Sequence, residues 1–154
     1  MKEVRIVEGL ASDTAGLRQH VLGWSSTSIS IDDHRQVMHL IAKIEPAVTV
    51  GCGSCAPSPF PTEEAPPGCG MRFWGVAVLS PFQGRGVGKD ILLRIIQRAA
   101  KVDADYVWAN ARESAVSFYL DLGFKSIGEP FIDALSGLTD VRVWLPVRQM
   151  QANV

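Results

Sequence analysis

Apolar and polar positions change period several times along the chain, and each change marks an element. Val4-Arg5-Ile6-Val7 alternates as a short first strand. Ser12 or Asp13 is placed to cap a helix carrying Leu17, Val21 and Leu22 and ending near Gly23. The polar run Ser25 to Ser30 is a loop, Val37 to Ile44 is a second strand, Glu45-Pro46 turns, and a third strand starts over Ala47 to Gly51. Cys52 to Gly70 is rich in proline and glycine and predicts a long connection. Val76 to Leu79 is an apolar strand end bounded by Ser80-Pro81. After Val87 the apolar residues Ile91, Leu92, Ile95, Ile96, Ala99 and Ala100 form one stripe of a long helix.

Asp105 to Ala109 predicts a fifth strand. Ala115, Phe118, Tyr119 and Leu122 share one face of a helix that stops at Gly123. Phe124 to Ile127 and Thr139 to Leu145 are the last two strands, joined by a loop around Asp133 to Gly137, with Trp144 facing away from Val141, Val143 and Leu145. Arg148 to Val154 reads as a frayed tail.

The length of 154 residues sets one domain with a proper core, and 47% hydrophobic with 20% charged residues is ordinary for a soluble globular chain. A net charge of −1 offers no bulk attraction to nucleic acid or membrane, so neither is expected as a partner. No apolar run has the length of a span, and Met1-Lys2-Glu3-Val4 does not open a signal peptide, so the cytoplasm is the expected compartment. Three cysteines do not make a disulfide framework. Zinc usually wants four ligands, and none of His20, His34 and His39 has ligand spacing to Cys52, Cys55 and Cys69, so no metal is expected. Cys52-Gly53-Ser54-Cys55 does not open a helix, as a thioredoxin-like pair would; small residues packed at a strand end account for it.

The strand end and the long helix flank Gln83-Gly84-Arg85-Gly86-Val87-Gly88-Lys89. Glycines let the backbone approach a ligand, and the helix start adds free N–H groups and the positive end of its dipole, which makes an anion cradle for a phosphate or pyrophosphate. Two other glycine loops fail. A Walker A loop would need glycine at Gln83 and a hydroxyl at Asp90; a dinucleotide fingerprint would need glycine at Lys89 or Ile91. A bare tight connection between strand and helix is the plain alternative.

Gln83, Gly86 and Gly88 meet the Gln/Arg-x-x-Gly-x-Gly/Ala signature of the GCN5-related N-acetyltransferases, and Asn110-Ala111-Arg112-Glu113-Ser114-Ala115-Val116-Ser117-Phe118-Tyr119 with Leu122-Gly123-Phe124 resembles the family's second motif. The resemblance covers Met71 to Val147, with a vaguer match before it. It implies a single α/β (α+β) domain with a mixed, mostly antiparallel sheet of six to seven strands flanked by helices. Residues 2–70 would form the acceptor side and 71–147 the acetyl-CoA side. It further implies an acetyltransferase that uses acetyl-CoA without a metal and attacks it directly with a primary amine of a small molecule or peptide. Val76, Ala77 and Val78 would face the pantetheine arm, and Gln83, Gly84, Arg85, Gly86, Val87, Gly88 and Lys89 the pyrophosphate. Tyr119 takes the place of the general acid; a core aromatic with a satisfied hydroxyl is the alternative. The first helical region is short, which leaves the acceptor cleft open or completed by a partner subunit, as in a homodimer.

Two positions depart from the family pattern. Arg112 stands seven residues before the tyrosine, where many relatives have Asn, and Asn110 lies two earlier; either could contact CoA or the acceptor. Arg72 to Leu79 contain no acid, and Val107-Trp108 stand where many relatives carry a carboxylate base on the fifth strand. That leaves Asp32, Asp33, His34, Glu113 and Asp133, or no base at all if the amine arrives neutral. A non-catalytic acyl-CoA-binding or sensor domain is therefore the second reading.

Overall fold

The third strand is twice as long as its pattern predicts, and the reason lies in what packs on it. In the computed structural model, which describes residues 3–45 and 47–148, β3 runs over Val48–Pro57 and takes in Cys52 to Cys55. The segment GCGSC has poor strand propensity, but small size is what the site requires. A Cβ on Gly53 would lie 2.7 Å from Ile91 Cγ2, so only glycine lets the helix that carries Ile91 settle on the strand. The connection shortens to 58–69, and it is not idle either, as Phe60 shows below.

Seven strands make one mixed sheet in the order β1-β2-β3-β4-β5-β7-β6, with β1 at Arg5–Gly9, β2 at Met38–Ile44, β4 at Gly70–Val78, β5 at Tyr106–Arg112, β6 at Lys125–Ile132 and β7 at Thr139–Pro146. β1, β2 and β3 pair antiparallel, β4 and β5 parallel, and β5, β7 and β6 antiparallel. The α-helices among the described residues are α1 at Ala11–His20, α2 at Val87–Lys101 and α3 at Val116–Asp121. The expected α/β sheet fold is thus observed. Residues 149–154, most of the expected tail, lie outside the described residues.

The chain condenses into two compact units, one from the chain up to Ala56 plus Trp74–Ile95, the other from Pro57–Phe73 plus the chain from Ile96. In the first, α1 starts one residue before the expected cap. Asp13 does cap it, from inside: its carboxylate accepts the Leu10 N–H at 2.8 Å. Leu17 packs against Ile41, Cys52 and Ala77, and Val21 and Leu22 close the edge of that cluster. The apolar stripe of α2 is buried as its period predicts: Ile91, Leu92, Ile95, Ile96 and Ala99 are all sealed from water.

In the second unit both faces of the sheet are covered. Val107, Val143 and Leu145 are buried, while Tyr106, Trp108 and Trp144 form a second cluster capped by Phe60 from the proline-rich connection. The Phe60 and Trp108 rings meet edge-on at 5.3 Å, and the Trp108 indole donates to the Ser58 carbonyl at 3.0 Å. The α3 face departs from expectation. Of its residues only Tyr119 is buried, whereas Phe118 is 39% exposed. A single 3-10 turn over Glu113–Ala115 precedes just six helical residues, so the helix has no room for a four-residue apolar stripe. It ends at Gly123 as predicted, with φ at 99°.

Candidate active site

The glycine turn sits in the first unit. β4 ends at Val78, Ser80–Phe82 makes a 3-10 turn, and α2 begins at Val87. Gly84 and Gly86 adopt φ of 75° and 85°, and a Cβ on either would point into open space. These glycines are therefore not demanded by packing inside the protein. They serve the left-handed backbone and leave its outer surface clear for a ligand. The first intrahelical bond runs from the Asp90 N–H to the Gly86 carbonyl at 2.9 Å, so the amides of Val87, Gly88 and Lys89 have no partner within the helix. Lys89 and Arg85 are exposed beside them, Arg85 stacked on Phe82 at 5.7 Å. Free amides, a helix start and two cations suit a polyanion such as a pyrophosphate.

Two expected contacts look different in place. Gln83 turns its side-chain amide back to the Val78 carbonyl at 2.8 Å, which braces the strand end. Ala77 buries its side chain against Leu17 and Ile41, so only its backbone is available to an extended ligand. Val76 and Val78 are half-buried.

Tyr119, in the second unit, stands among Phe73, Phe118 and Phe124 at ring distances of 5.7, 5.2 and 5.4 Å. Burial pushes its phenol above the ordinary value, so it stays protonated throughout the neutral range. Asn110 and Arg112, either of them a candidate contact for CoA or the acceptor, are strand residues of β5, opposite Arg142 and Asp140 of β7.

The carboxylates considered as base have other work. Asp32 accepts two bonds from Arg18, at 2.7 and 2.8 Å, one from the Ile29 N–H at 2.8 Å and one from the Trp74 indole at 2.9 Å. Burial alone would raise this carboxyl, but the bonds from Arg18, Ile29 and Trp74 outweigh it and hold the group below 3.8. With its lone pairs occupied it cannot take a proton from an amine. Asp133 accepts the Ser136 N–H in its turn, His34 accepts the Gln36 N–H, and Asp33 and Glu113 are exposed.

What pattern reading missed is the network around Arg18. That guanidinium is fully buried and also donates to Ser54 Oγ at 3.1 Å; Ser54 in turn lies 2.6 Å from His39 Nδ1. Burial pulls the His39 pKa down, so the ring is neutral at pH 7. The available signal was Arg18 beside Leu17 on the inward side of α1, since a charge there demands a counterion. Cys52 and Cys55, three apart on one strand, point to opposite faces, and burial lifts the Cys52 thiol to about 12. No group of three or more His, Cys, Asp or Glu residues is placed to hold a metal ion among the described residues, and no helix there is long and apolar enough to cross a membrane.

The model of the acetyltransferase (GNAT) family matches residues 8–124. Two curated relatives match shorter stretches. An uncharacterized N-acetyltransferase of Bacillus subtilis, YitI, is 32% identical over 60 residues, 39% of this chain and 40% of its own length. N-acetyltransferase 8 of Rattus norvegicus is 30% identical over 74 residues, 46% of this chain and 33% of its own. The matches therefore span less than half of either relative. Among solved structures, the N-acyl amino acid synthase FeeM from uncultured soil microbes superposes with a TM-score of 0.78 at 10% identity, over 99% of this chain and 95% of that one. An aminoglycoside 6'-N-acetyltransferase complexed with coenzyme A gives 0.68 at 12% identity, over 93% and 97%. At such identities these likenesses show the fold alone.

Proposed function

Since the chain belongs to the acetyltransferase (GNAT) family, we propose that it transfers an acetyl group from acetyl-CoA to a primary amine by direct attack. The observation that supports this is the open turn at Gly84 and Gly86 in front of the α2 amides, where a Cβ on either glycine would meet nothing and a pyrophosphate would have room. Gly84 to Lys89 bind that group, and Val76, the Ala77 backbone and Val78 line the pantetheine arm. Acetyl-CoA supplies a thioester, whose acyl carbon forms the new C–N bond as the C–S bond breaks. The amine loses one proton to water, and the departing sulfur takes one.

Tyr119 is the proposed donor of that second proton. Its raised pKa keeps the proton in place at rest but makes full transfer to a thiolate uphill, so the phenol acts by hydrogen-bonding the developing charge and handing over the proton late. No carboxylate is assigned as base, because Asp32 has its lone pairs filled. The same fact favours the second reading, an acyl-CoA-binding domain without turnover.

Calorimetric titration with acetyl-CoA tests the cradle. Binding is expected in the unaltered protein and should be lost in Gly86→Leu, whose left-handed φ costs about 1–2 kcal/mol of stability in addition. No binding by the unaltered, folded protein would refute the reading. Tyr119→Phe then separates the two functions: binding persists in both, and free-thiol release falls roughly 100- to 10,000-fold only if the phenol is the acid.

A further inference from the structure

The polar interior of the first unit holds a histidine to which the proposed transfer gives no role. His39 of β2 is 5% exposed, and Ser54 stands opposite it on β3. Its Nδ1 lies 2.6 Å from Ser54 Oγ, which also takes a bond from Arg18 Nη2 at 3.1 Å. A guanidinium only donates, so it fills one lone pair of that oxygen, and the single hydroxyl hydrogen goes to the ring. Nδ1 is therefore the accepting nitrogen and Nε2 carries the hydrogen. Nε2 is buried with no hydrogen-bond partner among the described residues.

These surroundings suit the neutral ring and not the imidazolium. A cationic ring donates from both nitrogens. Nε2 meets no acceptor, and a hydrogen on Nδ1 would displace the hydroxyl hydrogen of Ser54, which is fully buried. The charges that bear on His39 are Arg18 and Asp13 of α1 and Asp32 of the 3-10 turn Ser30–Asp33. Burial is the largest cause of its lowered pKa; Arg18 adds to the fall, while Asp32 and Asp13 oppose it. Its cross-strand partners Gly9 and Ser54 bring no charge, and the Cys52 thiol on the same face of β3, raised to about 12, is neutral.

Arg18 leads from Ser54 to β4. Its two Nη atoms grip Asp32, and Nη1 also donates to the Thr27 carbonyl at 2.9 Å, while Asp32 accepts the Trp74 indole N–H. The guanidinium lies 4.9 Å over Trp24, and a Cβ on Gly75 would stand 3.2 Å from Arg18 Nε and 3.6 Å from Trp24 Cη2. Gly75 has φ of 63°, so β4 kinks where the guanidinium rests on it. Trp74 and Gly75 directly precede Val76, Ala77 and Val78, the segment assigned to the pantetheine arm.

We propose that His39 is a positioning residue for this donor strand, acting through Ser54 and Arg18 and only while its ring is neutral, so that a proton on it unseats Arg18 and loosens acetyl-CoA. The ligand in this statement rests on the acetyltransfer reading, whereas the proton sensitivity of the network does not.

Three variants and two measurements test it. His39→Asn offers Ser54 an acceptor near the Nδ1 place and does not titrate. His39→Leu removes the acceptor at every pH. His20→Asn changes an exposed histidine and is the control. Calorimetric titration with acetyl-CoA runs from pH 7.5 down to the lowest pH at which circular dichroism shows folded protein. Over that range the native affinity should fall at least roughly fivefold further than that of His39→Asn, the lower end of couplings between sites. His20→Asn should follow the native profile, and His39→Leu should bind weakly throughout. Ionisation of the ligand's own phosphates is common to all variants and cancels.

The second measurement uses the protein alone and follows melting temperature against pH. The folded pKa of His39 lies below the unfolded 6.5, so the native protein should lose stability as pH falls from 6.5 through the folded value, and His39→Asn should lack that loss. Asp140 titrates in both and drops out of the difference. Proton NMR of the ring should show one histidine signal, absent in His39→Asn, titrating below the other two and lower still with acetyl-CoA bound, as reciprocity of coupling requires. Equal affinity loss in native and His39→Asn, or a His39 ring titrating with His20 and His34, would overturn the proposal. No acetyl-CoA binding by any folded variant at pH 7.5 would overturn the donor reading and the positioning role with it; a melting difference that persisted would then support the proton-sensitive network alone.

Discussion

Asp32→Ala is the most demanding single change for this fold. The carboxylate holds four hydrogen bonds, two of them from a guanidinium with no exposed surface. Removing it strands the Arg18 charge in the interior, and breaking such a buried pair costs about 3–5 kcal/mol. Against a total stability of about 5–15 kcal/mol this is a large share. For a chain of this length the melting temperature should drop by roughly 6–20 °C. Replacing both partners, as Arg18→Met with Asp32→Leu, removes the stranded charge. The double variant should therefore be more stable than Asp32→Ala by at least about 2 kcal/mol, though Ser54 and Trp74 still lose partners worth about 1 kcal/mol each. Thermal unfolding followed by circular dichroism gives both numbers.

The pH dependence supplies a second check. Asp32 has its folded pKa below the unfolded 3.8, so its contribution is complete above 3.8 and disappears as pH falls through the folded value. The gap between the native protein and Asp32→Ala should then close in acid. A loss under about 1 kcal/mol at pH 7, or a double variant no better than the single one, would refute the idea that this ion pair organises the first unit.

Asp140 gives the opposite sign. Its pKa rises from 3.8 to about 6, so its ionisation opposes folding above pH 6 and that cost vanishes toward pH 4. Asp140→Asn should stabilise the protein at pH 7.5 by up to about 3 kcal/mol, with no gain at pH 4, and melts at the two pH values check it. Gly53→Val places atoms 2.7 Å or less from the Ile91 side chain and should cost about 1–3 kcal/mol by denaturant unfolding; a neutral result would mean that α2 does not rest on β3 as closely as described. Phe60→Ala should cost about 3–5 kcal/mol, because a residue of the proline-rich connection fills the core against Trp108, whereas a mere linker would tolerate the change.

Local pattern carried the strands, the α2 stripe and the glycine turn, because each is written by neighbours in the chain. Ile91, Leu92, Ile95 and Ile96 are inward for no reason beyond helical period, and Gly84 and Gly86 advertise a backbone that no other residue adopts easily. Family resemblance at Gln83, Gly86 and Gly88 added the acetyltransferase assignment that the match over residues 8–124 bears out. Elsewhere the deciding contact is distant. Cys52 to Cys55 looked like a loop because small residues lack strand propensity, yet Ile91, nearly forty positions on, requires that smallness. Asp32 looked like a free carboxylate until Arg18, Ile29 and Trp74 filled its lone pairs. The motif left the surroundings of Asn110 and Arg112 open, and only the pairing of β5 with β7 set them on a shared face with Arg142 and Asp140. Period and propensity act over a turn or a strand, so the sequence alone determined most of the elements and the glycine turn. Desolvation, close packing and cross-strand register depend on what arrives from far along the chain, so tertiary structure alone decided which charges are buried together, as Arg18 and Asp32 are.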